Sequence, residues 1–306
     1  MRQRYFATLL FQILLAGLCL LSSAQAKTPD VLATIKPIHS LAQAITEGIS
    51  DTQLLIEGFQ SPHDYYLKPS DRRKIHQADV IIFASENIES FLPAISQQNK
   101  THQRIINLSK IKDIELLPAR SQHSEHDHHH SMDGHIWLSV SNAKIIVKYL
   151  VDIFSQMDPD HATHYRANGT QLLSRLSQLK IQIQNRLKYQ HTPRYLMFHD
   201  AFQYFEHEFQ LNPARYVTTS PEHISGVRNV QSLKQHIEQN DIQCIFYEPP
   251  EVPSIVSTLV DDRAIKILPL DPVGSQLDAG PQLYFTLIEG IASNLYQCME
   301  DRSENP

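Results

Sequence analysis

Short apolar runs alternate with helix-patterned segments in two separate parts of this chain. Each run is almost wholly apolar, which is typical of strands that are buried on both faces of a parallel sheet. The predicted strands cover residues 31–35, 52–56, 80–84 and 104–108, and then 195–198, 215–218, 244–247 and 265–268. The predicted helices cover residues 38–49, 70–78, 89–98, 142–157, 202–209, 230–239, 255–261 and 284–300. The sequence therefore predicts an α/β protein with two lobes, each built on its own parallel sheet.

The longest helical pattern separates these two lobes. It begins at Asp158-Pro159, an N-cap residue beside a proline at the first helical position, and Gly169 is its only glycine. Leucine and isoleucine recur at spacings of three and four for about 30 residues, which gives a helix of roughly 45 Å. We therefore predict an N-terminal lobe at 27–158, a linking helix at 159–190 and a C-terminal lobe at 191–306.

The first 26 residues have the three parts of a secretory signal peptide. Arg2 and Arg4 are basic, residues 9–21 are apolar apart from one glutamine, and Ala24-Gln25-Ala26 is a cleavage motif. The apolar run is short for a membrane span, although an uncleaved anchor is the alternative. We expect cleavage after Ala26 and a periplasmic mature protein.

Two cysteines remain after cleavage, because Cys19 is removed with the signal peptide. In an oxidising compartment Cys244 and Cys298 most simply form one disulfide. Two buried free thiols are the alternative. Metal binding by these cysteines is a weaker interpretation, because neither belongs to a C-x-x-C pair.

Charge and motif content exclude several classes of protein. The formal net charge of −6 argues against a nucleic-acid-binding protein, which needs a basic surface. After the signal peptide, no apolar stretch is long enough to span a bilayer. The chain also lacks the G-x-x-x-x-G-K-[ST] phosphate loop, so we expect it to hydrolyse no nucleotide.

Histidine is the residue that points to function, with 17 in the chain, because it is the commonest protein ligand for metals. Residues 121–134 combine acidic and histidine residues without apolar periodicity, so we expect a mobile loop that binds metal weakly. Three interpretations of this loop are open: it passes metal to a tighter site, it senses metal, or it is a solvated loop without a metal function. Its candidate ligands are His123, His126, His128, His129 and His130.

Four further candidates lie at or near the ends of predicted strands, where open α/β sheets bind their ligands. They are His63, His135, His199 and Asp271. Three imidazoles and one carboxylate suit tetrahedral Zn²⁺ better than Mg²⁺ or Ca²⁺. Each has a structural alternative. His63 is alternatively a surface-loop histidine and His135 the tail of the histidine-rich loop. His199 is alternatively a helix-capping histidine and Asp271 a turn aspartate.

Four short segments carry a family resemblance. Ser61-Pro62-His63-Asp64-Tyr65, His135-Ile136-Trp137-Leu138-Ser139, Phe198-His199-Asp200-Ala201-Phe202 and Leu270-Asp271-Pro272-Val273-Gly274 resemble segments of the metal-binding solute-binding proteins of zinc and manganese ABC importers. The resemblance covers essentially the whole mature chain, in order, and is closest to the periplasmic zinc-binding proteins of high-affinity importers. The manganese branch usually has a carboxylate at the position of His199.

The resemblance implies two α/β lobes bridged by one rigid helix, with metal in the cleft between them. It implies His63, His135 and His199 as ligands, completed by Asp271 or by water, and a Cys244–Cys298 disulfide in the second lobe.

The resemblance also implies a function. We expect a monomer that captures Zn²⁺ and delivers it to the membrane permease of an ABC importer, and that is not an enzyme. The alternatives are a manganese or iron importer protein, a metal-buffering or adhesive surface protein, and a zinc hydrolase with Glu248 as its base. The chain contains no H-E-x-x-H motif, which argues against the hydrolase alternative.

Overall fold

The computed structural model describes residues 27–92, 103–120, 132–188, 194–218, 227–261 and 263–300. The predicted signal peptide and the five histidines of the histidine-rich loop lie outside these ranges. Within them, no helix is long and apolar enough to cross a membrane.

The first lobe is built on a four-stranded sheet in which every pair of neighbours is parallel. Its strands follow the order β2-β1-β3-β4 and confirm the four predicted runs. They are β1 (Val31–Ala33), β2 (Gln53–Leu54), β3 (Val80–Phe83) and β4 (Arg104–Asn107). Helices α1 (Lys36–Thr46) and α2 (Pro69–Gln77) begin beside prolines, whose fixed φ suits the first helical turn.

The second lobe repeats this topology. Its parallel sheet has the order β6-β5-β7-β8, so the first strand of each lobe has the second strand on one side and the third on the other. Its strands are β5 (Tyr195–His199), β6 (Arg215–Thr218), β7 (Cys244–Tyr247) and β8 (Lys266–Pro269). Helices α5 (Gln203–Glu208), α6 (Val227–Gln239) and α7 (Ser254–Val260) belong to this lobe. The prediction of two parallel-sheet lobes is confirmed.

A long helix connects the lobes, and it begins later than the sequence predicts. A 3₁₀ turn at Pro159–His161 precedes the 26-residue helix α4 (Ala162–Leu187). Asp158 does not act as a side-chain cap. Its carboxylate accepts hydrogen bonds from the His161 ring and the Tyr165 hydroxyl instead, which competes with capping.

Helix α4 packs against helices of both ends of the chain. Its neighbours are α1, α3 (Val140–Met157) and α8 (Leu283–Glu300). One cluster of buried apolar side chains runs through both lobes and these helices, and a smaller cluster lies around α6 and α7. Because the lobes share a core, a wide hinge opening would expose apolar surface, and this opposes large lobe movements.

Cys244 and Cys298 form a disulfide between β7 and α8. Cys244 and Cys298 are both buried, and their Cα atoms lie 6.0 Å apart. The predicted pairing is confirmed, and the free-thiol alternative is wrong.

Only residues 89–92 of the helix predicted at 89–98 are among the described residues, since residues 93–98 lie outside the described ranges. Residues 89–92 lie in turns that span residues 86–92. The reason is Glu89, whose buried carboxylate accepts hydrogen bonds from the Thr34 hydroxyl and from the backbone N–H groups of Ala84 and Ser85. These bonds fold the chain back onto the end of β3, so the backbone around Glu89 forms turns and does not start a helix. Burial raises the pKa of Glu89 to about 7, against the opposing effect of these hydrogen bonds.

Glu89→Gln is expected to flatten the pH dependence of stability between pH 4.5 and 7. The folded protein holds the Glu89 proton more tightly than the unfolded chain, whose usual pKa is 4.5. The bound proton therefore contributes its full stabilisation below about pH 4.5. As the pH rises to about 7, the free energy of unfolding falls by about 3 kcal/mol. Urea unfolding at several pH values measures the slope.

Glu86→Gln is the matched control, because Glu86 is exposed and its pKa is lowered by hydrogen bonding to Lys110. Its slope between pH 4.5 and 7 should equal that of the wild type. An unchanged slope in Glu89→Gln would show that Glu89 is not protonated in this range.

Candidate metal centre

Three of the four predicted ligands converge between the lobes. His63 lies in the loop after β2, His135 directly precedes a 3₁₀ turn at Ile136–Leu138, and His199 is the last residue of β5. One ring nitrogen of each lies within 4.8 Å of the others, and the Nε2 atoms of His63 and His135 are 3.3 Å apart. These nitrogens are close enough to bind one metal ion together.

The segment that carries His135 fits tightly against the first lobe because Gly134 precedes it. A Cβ atom at this position would lie 2.3 Å from the Ser85 Oγ and 2.5 Å from the Ile88 side chain. The absence of a side chain therefore lets the backbone bring His135 close to the end of β3.

Two carboxylates orient two of the imidazoles. Asp133 Oδ1 lies 2.7 Å from His135 Nδ1, and Glu248 Oε2 lies 3.1 Å from His199 Nδ1. A proton on each Nδ1 donates to the carboxylate, so the Nε2 lone pair is left for a metal. His199 Nε2 is buried and has no hydrogen-bond partner among the described residues, as expected of an atom that awaits a ligand.

Sequence reasoning missed Asp133 and gave Glu248 a different role. Asp133 lies two residues before His135, and it also accepts a hydrogen bond from the His135 backbone N–H. Glu248 follows β7, so its position beyond the end of a parallel strand was the available signal.

His63 is held in the neutral form that metal binding requires. Burial, together with the neighbouring His135 and His199 rings, lowers the pKa of His63 to about 2. A neutral imidazole keeps a lone pair for coordination, whereas a protonated one would repel a cation.

Asp271 is not part of the histidine cluster. Its carboxylate accepts hydrogen bonds from the backbone N–H groups of Val273, Gly274 and Ser275 and from the Ser275 hydroxyl. Gly274 has φ of +69°, which closes this turn without strain. The described arrangement corresponds to the turn aspartate that the sequence left open as an alternative.

The turn that Asp271 closes is attached to the first lobe. The Trp137 indole N–H donates to the Pro272 carbonyl at 2.8 Å. The buried Lys36 ammonium donates to the carbonyls of Ser275 and Leu277 at 2.7 and 2.8 Å. Asp271 therefore shapes a contact between the lobes beside the histidine cluster.

A second contact between the lobes lies at the start of the histidine-rich segment. The Arg120 guanidinium forms ion pairs with Asp200 and Glu206 of the second lobe, and Asp200 directly follows His199. Pro118 and Met132 pair as an isolated antiparallel bridge. The histidine-rich segment therefore leaves and rejoins the described chain close to the histidine cluster.

Comparison with known proteins agrees with this geometry. The family model of ZnuA, described as "Zinc-uptake complex component A periplasmic", matches residues 31–298. The chain belongs to the ZnuA family. The high-affinity zinc uptake system protein ZnuA of Brucella abortus (strain 2308) is 31% identical over 93% of this chain and 96% of its own length.

Solved structures share the fold. A crystal structure of ZnuA superposes with a TM-score of 0.77 at 16% identity, covering 90% of this chain and 100% of that one. The Zn(II)-bound ZnuA-like domain of AdcA from Streptococcus pneumoniae gives 0.72 at 20% identity, again covering 90% and 100%.

Membership of the ZnuA family settles the class of protein. The family consists of periplasmic solute-binding components of zinc-uptake complexes, which are transport proteins and not enzymes. The hydrolase alternative is therefore wrong, and a membrane permease is the implied partner. Zinc is the ligand that the family description indicates.

Proposed function

We propose that this chain captures one Zn²⁺ ion between its lobes and delivers it to the membrane permease of an ABC importer. The observation that carries the proposal is the convergence of three imidazoles, two of them aimed by carboxylates. Three protein ligands leave one coordination position open, which suits an ion that must later be released.

His63, His135 and His199 are the proposed ligands, and water is the proposed fourth. Each oxygen of the Asp271 carboxylate already accepts two hydrogen bonds within its own turn, so we assign Asp271 to the turn. The all-nitrogen ligand set favours Zn²⁺ over Mn²⁺, which prefers carboxylate and carbonyl oxygens. The zinc-bound AdcA domain, which has the same fold, is consistent with this choice.

The organisation of the rest of the chain is part of the proposal. Residues 1–26 act as a signal peptide cleaved after Ala26, and the mature protein is a monomer. It comprises lobes 27–158 and 191–306 joined by the linking region 159–190. The five histidines of the loop, His123, His126, His128, His129 and His130, bind additional zinc weakly.

Competitive metal titration tests the proposed function. Mature protein stripped with a chelator should bind one zinc per chain tightly, in preference to manganese. Deleting residues 122–131 should remove the weak binding and keep the tight site. Preferential manganese binding, or loss of the tight site with the deletion, would contradict the proposal.

Asp133→Ala and Glu248→Ala are each expected to weaken zinc binding about ten- to a hundredfold. Each removes the acceptor that holds an imidazole with its Nε2 atom towards the metal. Isothermal titration with a competing chelator measures the change. Asp64→Ala is the control, because Asp64 is adjacent to His63 in sequence but is exposed. Equal effects in all three variants would indicate a general loss of negative charge.

Asp271→Ala is expected to reduce stability by about 2 kcal/mol and zinc affinity less than tenfold, because it removes hydrogen-bond acceptors from a turn and not a ligand. Thermal unfolding and zinc titration separate the two effects. Asp278→Ala, in the same region but exposed, is the control for charge. A loss of zinc affinity as large as that of a histidine variant would identify Asp271 as a ligand.

A further inference from the structure

The short helix α5 lies between two histidines of the cluster that belong to opposite lobes. It begins four residues after His199 of the second lobe, and its side chains reach the first-lobe segment that carries His135. Helix α5 also packs directly against the 3₁₀ turn at Ile136–Leu138, which follows His135. The position of this helix therefore bears on the distance between His135 and His199.

Tyr204 of α5 holds the backbone that precedes His135. The buried Tyr204 hydroxyl donates to the Asp133 carbonyl at 2.8 Å and accepts a hydrogen bond from the Leu117 N–H at 3.0 Å. Asp133 is also the residue whose carboxylate lies against the Nδ1 atom of His135. A hydroxyl from the second lobe therefore fixes the residue that orients a histidine of the first lobe.

Glu208, at the other end of α5, holds the backbone that follows His135. Its side chain is only 3% exposed, and its carboxylate accepts hydrogen bonds from the Ser139 and Ser141 hydroxyls at 2.6 and 2.8 Å. Lys180 of the linking helix α4 forms an ion pair with the same carboxylate. Ser139 ends the 3₁₀ turn after His135 and is the N-cap residue of α3. The segment of His135 is therefore attached to α5 on both sides.

His63 is held differently from the other two histidines. Among the described residues, its backbone forms hydrogen bonds with Ser61 and Ser90, both of which belong to the first lobe. The contacts of α5 therefore fix His135 relative to His199 and do not fix His63 directly.

We propose that Tyr204 and Glu208 are positioning residues that set the spacing of His135 and His199 and thereby raise the affinity of the cluster for Zn²⁺. This inference rests on the proposed function, because both residues act through proposed zinc ligands. Imidazoles that are already held at the spacing an ion requires need little rearrangement when it binds, which lowers the free-energy cost of binding. A purely structural role would instead lower stability without a selective loss of zinc affinity.

Tyr204→Phe tests the proposal, because it removes the hydroxyl and keeps the ring. The Asp133 carbonyl and the Leu117 N–H then lose a buried partner, so the segment of His135 is held less firmly. Zinc affinity, measured in metal-stripped mature protein by titration against a competing chelator, should fall about tenfold.

Tyr165→Phe is the matched control. The Tyr165 hydroxyl is also buried and donates to the carboxylate of Asp158, which is outside the histidine cluster. Urea unfolding should show a loss of stability similar to that of Tyr204→Phe, whereas zinc affinity should stay within twofold of wild type.

Glu208→Gln is an independent variant at the other end of α5. It removes the charge that Lys180 pairs with and weakens the hydrogen bonds from Ser139 and Ser141, while the shape of the side chain is kept. Zinc affinity should again fall about tenfold.

A double-mutant cycle identifies the ligand through which Tyr204 acts. In a His135→Ala background, adding Tyr204→Phe should change zinc affinity less than twofold, because the ligand that the hydroxyl positions is already absent. In a His63→Ala background, the same change should still lower zinc affinity about tenfold, since α5 does not hold His63.

Three outcomes would overturn the proposal. They are wild-type zinc affinity in folded Tyr204→Phe or Glu208→Gln, a loss in Tyr165→Phe as large as that in Tyr204→Phe, and equal effects of Tyr204→Phe in the His135→Ala and His63→Ala backgrounds. Failure of the wild-type protein to bind zinc would instead overturn the proposed function.

Discussion

Replacing His199 with alanine is expected to lower zinc affinity about a hundredfold to a thousandfold. His199 is buried, its Nε2 atom has no other partner among the described residues, and Glu248 holds its ring in place. Structural zinc sites with four ligands bind with about 10–16 kcal/mol, or about 2.5–4 kcal/mol per ligand. Loss of one ligand therefore corresponds to the expected change in affinity. His63→Ala and His135→Ala should have effects of similar size.

The control for these variants is His164→Ala, which removes an exposed histidine from α4. Its zinc affinity should equal that of the wild type, as measured by titration against a chelator of known affinity. An affinity for His199→Ala within tenfold of wild type would contradict the assignment of His199 as a ligand.

Removing the disulfide by Cys244→Ala/Cys298→Ala is expected to lower the free energy of unfolding by about 4 kcal/mol. The bond joins residues separated by 54 positions, and cross-linking a loop of this length restricts the unfolded chain by about that amount. It also ties β7, which is followed by Glu248, to α8. The histidine cluster does not include either cysteine, so zinc should still bind to the folded variant.

Denaturant unfolding with and without a thiol reductant measures the effect. With reductant, the wild-type protein should unfold with about the same free energy as the double variant, apart from the small effect of the alanine substitutions themselves. The reductant should not change the free energy of unfolding of the double variant. Equal free energies of unfolding for wild type and variant under oxidising conditions would show that the disulfide does not stabilise the protein by restricting the unfolded chain.

The sheets and the linking helix were predictable because each has a strong local signal. Strands buried on both faces, such as Val80–Phe83, are continuous apolar runs, and the spacing of leucines along α4 is that of a helix. His199 was predictable as a candidate because parallel strands direct the residues at their carboxyl ends to one edge of the sheet. His63 and His135 lie in loops, so this rule supports them less directly. Their proximity across two lobes depends on tertiary packing.

The remaining parts of the site depend on contacts that no local pattern encodes. Glu89 lies in a turn where the sequence predicts the start of a helix, because its carboxylate accepts hydrogen bonds from the Thr34 hydroxyl and the Ala84 backbone N–H. Asp133 orients His135 through a hydrogen bond, and Gly134 between them packs closely against Ser85 and Ile88. Asp271 has the sequence context of a ligand, yet its hydrogen bonds lie within its own turn.

Diffraction from zinc-loaded crystals at the zinc absorption edge tests the central claim most directly. The account predicts one strong anomalous peak between the lobes, bonded to the Nε2 atoms of His63, His135 and His199 at about 2.0–2.1 Å. A strong peak bonded to Asp271 in place of one of the imidazoles, or found only within residues 121–131, would contradict it.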